Sequence, residues 1–325
     1  MRWIRSIAAL VWLAGAPALA GVTAWVPLEV RDGHVLFPVE VAGVAGYAMF
    51  DTGSQTNSIS TALVEKAGLK LTGPRYQIRG VSSTDQSVRS VASLSIELFG
   101  VAFKLRDVPA LPHSEEMIIG AGFLKAAVLQ LDYPNNRMRL IARDSLDLDA
   151  AANVPMRLED ASGLPAVQVT IDGKERWMLF DTGNTGPLMI RRLIARDERW
   201  IERFQRASGE VSDINADTLG VDLLVLPSVE IGPYELTDVP VAVPAEGESA
   251  YLSSARARGP LDGSRIRRGV KTSGIVGYEL LRHFVVTVDY EREKMHLQAP
   301  PETPAESAQQ AAAGEPAEAA HAEHE

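Results

Sequence analysis

From residue 28 to residue 297 the chain runs in short alternations of apolar and polar positions, broken at Gly, Asp and Pro. That period of two predicts strands joined by tight turns. The segment PVEVAGVAGYAMF (38–50) reads as two strands about a turn at Gly43, and VQVTIDGKERWMLF (167–180) as two strands about Gly173. Two further stretches, SIELFGVAFKLRDVPALP (95–112) and SVEIGPYELTDVPVAVP (228–244), alternate about a central Gly and predict hairpins. Helical signal is sparse. STALVEKAG (60–68) has a Ser start and a Gly stop and predicts a short helix, with 189–204 as a longer counterpart. Single turns are expected near 123–127 and 279–283.

These segments are copies of one another. Phe-Asp-Thr-Gly occurs at 50–53 and again at 180–183, and Gly43 and Gly173 each lie eight residues before the aspartate. IIGAGFLKAAVLQLDY (118–133) aligns with IVGYELLRHFVVTVDY (275–290) without a gap, pairing Gly120 with Gly277 and Asp132 with Asp289. A repeat of about 115 to 130 residues is far longer than the ~20–50 of a solenoid. It predicts two similar lobes, 21–148 and 149–300, in an all-β fold with a few short helices. The copies differ mainly at 245–274, where the second carries an insertion with Arg256, Arg258, Arg265, Arg267, Arg268 and Lys271. A loop of this length is a solvated excursion, or it serves gating, partner binding or processing.

Composition narrows the chemistry. At 325 residues the chain has room for roughly two domains. With no Cys, thiol catalysis, Cys-ligated zinc, iron–sulfur clusters and disulfides are excluded. A net charge of −10 argues against nucleic acid as a partner. Residues 1–20 carry Arg2 and Arg5, an apolar run over 7–16 and a final Ala-Leu-Ala, the pattern of a cleaved signal peptide. The expected destination is periplasmic or secreted, with no membrane span after cleavage, because the run is below the ~20 residues a bilayer needs. Residues 301–325 hold six Glu and no basic residue, and read as a solvated acidic tail.

One Asp-Thr-Gly is weak evidence, since Asp and Gly commonly form turns. Two copies in register, each directly after an apolar strand, are strong. If the lobes pack about a pseudo-twofold axis, Asp51 and Asp181 meet on it. Two like charges at hydrogen-bonding distance cannot both ionise, so they share one proton and supply an acid and a base together. A water held between them can then attack a peptide carbonyl without a covalent intermediate. Thr52 and Thr182 suit bonds across the axis, and Gly53 and Gly183 allow close backbone approach. Ser54 is placed to donate its hydroxyl to the neighbouring aspartate. His34, His113 and His283 show no metal-like spacing, so no metal or other cofactor is expected.

The two Asp-Thr-Gly loops, with the runs Ile118-Ile119-Gly120 and Ile275-Val276-Gly277, resemble the retropepsin-like and pepsin-like aspartic peptidases of the bacterial exported type. In that family two retroviral-protease-like lobes are fused in one chain. The resemblance implies an acid-protease-like fold and an endopeptidase of peptide or protein substrates. It also implies a monomer with an internal pseudo-dimer, and strands at 118–120 and 275–277 that pass behind the active loops. Flap hairpins are implied at 76–89 and 205–219, marked by Gly80, Val81 and Gly209. Asn184 departs from the Ser, Thr or Ala of the family pattern, which implies an altered hydrogen bond at Asp181. The competing readings are an inactive periplasmic peptide-binding or scaffold protein of the same fold, and pairing of lobes between chains.

Overall fold

The computed structural model describes residues 21–31, 33–81, 85–114, 116–212, 216–248, 250, 256–258 and 269–300. The leader at 1–20, the tail at 301–325 and most of the basic insertion therefore lie outside the described residues. The described chain is all-β: its strands form one 13-stranded and one 9-stranded sheet, with a few short helices.

Each copy begins with the hairpin read from the sequence. His34–Val41 pairs antiparallel with Val44–Asp51, and Pro165–Ile171 with Lys174–Phe180. Both turns hold two residues at positive φ, Ala42 and Gly43 at 49° and 84°, Asp172 and Gly173 at 53° and 72°. Two-residue turns of this kind match the right-handed twist of the flanking strands. The repeat extends to less obvious backbone. Asp107 and Asp238 both adopt φ 52°, each opposite a break in the hairpin ladder of its own copy. Asn136 and Glu293 likewise share the left-handed region in matching turns.

The two copies join through a central sheet. Val128–Asp132 pairs antiparallel with Val285–Asp289, setting Leu129 opposite Val288 and Asp132 opposite Val285. Each carries its own hairpin partner outward, Arg137–Ile141 on one side and Lys294–Gln298 on the other. Beyond these lie Val26–Pro27 and Val154–Leu158, so the strand order reads the same from either end. This is the pseudo-twofold axis. Leu129, Leu131, Val286 and Val288 are buried on this sheet and belong to one apolar cluster that runs through both lobes. Gln130 adds a side-chain bond to Thr287 across the axis at 2.8 Å. Asp132 and Asp289 are buried at equivalent places, where each carboxylate accepts from backbone N–H groups of the following turn and from an arginine, Arg137 or Arg143.

Helices are where the sequence reading needs correction. Thr61–Lys66 forms as expected, with the Ser60 hydroxyl accepting from the Leu63 amide. The segment 189–204 is not one helix. Leu188–Ile190 is a strand inserted between Gly274–Val276 and the Tyr234–Pro244 strand, and helices Arg192–Asp197 and Trp200–Phe204 follow, split at Arg199 with φ 58°. Burial accounts for the split: Trp200 is 0% exposed and its indole N–H points to Asp172. The left-handed turn at Arg199 swings that ring inward, and tertiary packing overrides the helical period.

Gly43 has open space around a prospective Cβ, so its only constraint is the positive φ. Gly43→Ala is therefore expected to destabilise by about 1 kcal/mol through backbone strain alone, measured by chemical denaturation, with no change in the folded-state spectrum.

Candidate active site

Both Asp-Thr-Gly loops emerge from the end of a buried strand, Val44–Asp51 in the first lobe and Lys174–Phe180 in the second. Beside each runs the apolar strand from later in the same copy. Ala48 to Asp51 pairs parallel with Met117 to Gly120, and Leu179 and Phe180 pair with Ile275 and Val276. The strand ends in a glycine because nothing larger fits. A Cβ on Gly120 would lie 2.4 Å from the Thr56 carbonyl oxygen, and one on Gly277 would lie 2.7 Å from that of Asn184. The next residue then holds the loop in both lobes: the Ala121 amide donates to the Ser54 carbonyl and the Tyr278 amide to the Asn184 carbonyl, each at 2.8 Å.

The loops meet at the axis through their threonines. The Thr52 amide donates to the Thr182 hydroxyl at 3.1 Å, and the Thr182 amide to the Thr52 hydroxyl at 3.0 Å. Each hydroxyl in turn donates across the axis, Thr52 to the Phe180 carbonyl at 2.6 Å and Thr182 to the Phe50 carbonyl at 2.5 Å. Four bonds, all buried, thus tie two loops 130 residues apart. A single hydroxyl oxygen both accepts and donates, so each threonine takes an amide and a carbonyl of the opposite loop at once.

The clamp brings the aspartates face to face. The carboxyls of Asp51 and Asp181 are brought together at the axis, each lying against the Asp-Thr-Gly glycine of the opposite lobe. The Gly53 amide donates to Asp51 at 2.8 Å and the Gly183 amide to Asp181 at 2.9 Å. Each glycine also faces the opposite lobe's carboxyl: a Cβ on Gly53 would lie 2.4 Å from the Asp181 carboxyl carbon, and one on Gly183 would lie 2.6 Å from that of Asp51. Burial pushes the Asp51 carboxyl well above the ordinary carboxylate range, and the adjacent charge of Asp181 pushes it further. Burial raises Asp181 as well, but the Asp51 carboxyl and the amides of Gly183 and Asn184 favour its ionised form. Burial and mutual repulsion therefore leave one proton held between the two carboxyls, which titrate as a pair.

Two expected contacts are replaced by others. The Ser54 hydroxyl donates to the Thr56 carbonyl at 2.9 Å, and the Ser54 amide donates to the Asp51 main-chain carbonyl at 3.2 Å. At the equivalent position the Asn184 amide donates to Asp181 at 3.2 Å, while its side-chain oxygen accepts from the Gly186 amide at 3.1 Å. The side chain of Asn184 thus closes its own loop, and the bond to the aspartate comes from backbone that any residue supplies. The departure from the family pattern leaves that backbone bond in place.

The stretch expected as the first flap is a hairpin, Arg75–Arg79 pairing with the Asp85 end of the Asp85–Leu98 strand. Gly80 is buried near its tip. Val81 packs against an apolar cluster whose members, Ala121 apart, belong to the second lobe, among them Leu164, Leu179 and Leu219. In the second lobe Gln205–Ser212 pairs with Thr218 onward, but Gly209 lies mid-strand opposite Val221 and is not the tip. Equal offset from the aspartate misplaces it because the second copy's helical segment is differently built. Among the described residues no cluster of His, Asp and Glu suits a metal ion.

Sequence reasoning missed the Glu159 loop. Glu159 is 2% exposed, and its carboxylate accepts from the Ala161 amide, the Ser162 amide and the Ser162 hydroxyl. The loop so fixed presents the Ser162 carbonyl to the Gln55 side chain at 2.9 Å, a lobe-to-lobe contact one residue beyond Ser54. The spacing of Glu159 and Ser162, three apart before Gly163, was the available signal. Tyr133 was missed too. Its phenol is raised above the ordinary tyrosine range by burial, then by Tyr278 and Asp181, so it stays protonated.

The family model described as aspartyl protease matches residues 37–123 and 167–280, once in each lobe. The chain belongs to the aspartyl protease family. A search of curated proteins finds no match. Among solved structures, the basic 7S globulin from soybean is similar over 86% of this chain and 95% of its own, at 11% identity and a TM-score of 0.46.

For this aspartyl protease fold the clamp predicts a test. Thr52→Val keeps the shape but removes the hydroxyl that accepts the Thr182 amide and donates to Phe180. A loss of about 2 kcal/mol or more is expected, since buried partners are left unsatisfied, whereas Thr52→Ser retains most of the stability. The dyad predicts the opposite sign. A carboxyl whose folded value is raised contributes stability at low pH that is lost as pH rises through that value. Asp51→Asn is thus expected to gain in Tm relative to the parent as pH rises from below 3.8 toward neutrality, read by thermal denaturation at several pH values.

Proposed function

We propose that the protein is an exported aspartic endopeptidase in which Asp51 and Asp181 together activate a water for peptide hydrolysis. The observation that carries this reading is the meeting of the two carboxyl groups on the pseudo-twofold axis, each against the Asp-Thr-Gly glycine of the opposite lobe, with burial raising both. Structural ion pairs rarely consist of two acids. A pair held at the cost of mutual repulsion is the arrangement expected where the proton is to be used.

In the proposed cycle Asp181 starts ionised and Asp51 protonated. A water between the carboxyls gives a proton to ionised Asp181 as its oxygen bonds to the peptide carbonyl carbon. Protonated Asp51 donates to the carbonyl oxygen, so the tetrahedral intermediate carries no net charge. The proton on Asp181 then passes to the amide nitrogen, the C–N bond breaks, and Asp51 recovers its proton from the collapsing hydroxyl. Acid and base are regenerated in each cycle without cofactor or covalent intermediate. Thr52 and Thr182 act as positioning residues that hold the carboxyls in register. Gly53 and Gly183 keep the approach clear and donate their amides to the carboxylates, and the Asn184 amide supports that of Asp181.

The substrate proposed is an extended peptide or protein segment lying between the Arg75–Asp85 hairpin and the dyad, bound as an added strand. The reading of 1–20 as a leader places the reaction in the periplasm or outside the cell, on exported proteins. One chain supplies both halves of the site, so the proposed active species is a monomer.

Asp51→Asn and Asp181→Asn are each expected to reduce hydrolysis of a peptide library by at least 10³-fold, of the order reported for removal of an acid–base partner. Circular dichroism should remain that of the parent. Absence of any hydrolysis by the parent, with peptide binding retained in both variants, would establish the inactive peptide-binding alternative instead. Activity requires one proton on the pair, so the pH–rate profile should be a bell. Its alkaline limb lies above the ordinary carboxylate range, because burial and mutual repulsion raise the step in which the pair loses its shared proton.

A further inference from the structure

The basic insertion is what most distinguishes the two copies, and one part of it is placed against the opposite lobe. Arg256–Arg258, from the second lobe, pairs antiparallel with the outer strand of the first-lobe flap, setting Arg256 opposite Arg79, Ala257 opposite Ile78 and Arg258 opposite Gln77. The flap is thereby a three-stranded sheet, two strands its own and one from across the axis. In the second lobe the matching outer strand, Gln205–Ser212, ends its sheet with no strand beyond it among the described residues.

Both ends of the insertion are fixed to the second lobe. At its start the Ala245 amide donates to the Gly220 carbonyl at 2.8 Å, and Ala250 packs on the same apolar cluster that receives Val81 of the flap. At its end Val270 bonds with the backbone of Leu158 and Asp160, beside buried Glu159, at 2.9 and 3.0 Å. The first-lobe flap is therefore attached to the second lobe twice, through Val81 at its tip and through a backbone ladder along its edge.

We propose that Arg256–Arg258 is a latch, a cis-acting strand that holds the flap down on the second lobe and must unzip before the flap can lift. An exposed sheet edge accepts any extended strand, and backbone pairing carries no demand on side-chain identity. A ladder three residues long is strong enough to bias the flap and short enough to open without unfolding either lobe. The consequence for hydrolysis, that substrate entry competes with the latch, rests on the peptidase reading; the latch itself does not.

The test reads the flap directly. In the full chain, residues 251–268 are replaced by a short Gly-Ser linker, and amide hydrogen exchange is followed by mass spectrometry. The latch predicts exchange over 75–79 at least tenfold faster than in the parent, with 101–111 unchanged. Equal exchange at 75–79 in the two proteins overturns it. Should the deletion fail to fold, a second variant replaces it. The chain has no Cys, so Gln77→Cys with Arg258→Cys introduces a single pair at facing positions. Facing residues in an antiparallel pair lie ~4.5–5.5 Å apart, within disulfide reach. The expected result is an intramolecular, reducible crosslink that slows exchange at 75–79, and failure to crosslink under mild oxidant overturns the latch. Neither readout depends on catalysis, so loss of the latch and absence of peptidase activity are separate results.

Discussion

Two acidic side chains facing each other in a buried place repel, and the rest of the molecule is arranged to prevent their separating. The restraint is applied one residue away from the carboxyls, at Thr52 and Thr182, whose hydroxyls each bond twice across the axis. Because each threonine directly follows its aspartate, the clamp fixes the carboxyls without bonding to them. The repulsion is relieved by a proton, and the proton is what gives the pair its chemistry. Structure and function here meet in a single electrostatic constraint.

The constraint explains the fold's economy of means. A loop that must be held to tenths of an ångström is backed by a strand pairing in parallel with its own, and that strand ends in a glycine because the loop carbonyls leave no room for a Cβ. The same solution occurs in both lobes, down to the amide of Ala121 or Tyr278 that closes each loop. Beneath the loops, the central sheet sets Val128–Asp132 against Val285–Asp289, so the axis that relates the carboxyls also runs through the apolar core. Displacing one lobe would open the core and the clamp together.

Much of this was legible in the sequence because it is written twice. Duplication turned a three-residue motif of little weight into a prediction of pairing, and the hairpin about Gly43 and Gly173 and the runs ending at Gly120 and Gly277 formed as read. What was not legible depends on contacts between distant segments. The 189–204 helix breaks because Trp200 has a place to be buried, which periodicity does not encode. Ser54 and Asn184 reach the aspartates through their amides, and side-chain chemistry gives no sign of a backbone bond. Glu159 is polar in the sequence and buried in the fold, since its partners are the next few amides of its own loop. The insertion shows the same limit. Its charge was plain, but its pairing with Arg75–Arg79 follows from backbone geometry alone.

The central claim is that Asp51 and Asp181 titrate as one unit that holds a single proton. It is tested most directly by carbon-13 NMR titration of the aspartate carboxyls in the parent and in Asp181→Asn. The account predicts that Asp51 titrates well above 3.8 in the parent, and that its value falls when the neighbouring charge is removed while burial keeps it above the ordinary range. Titration of Asp51 at the ordinary carboxylate value in the parent, unchanged by the substitution at 181, would contradict it.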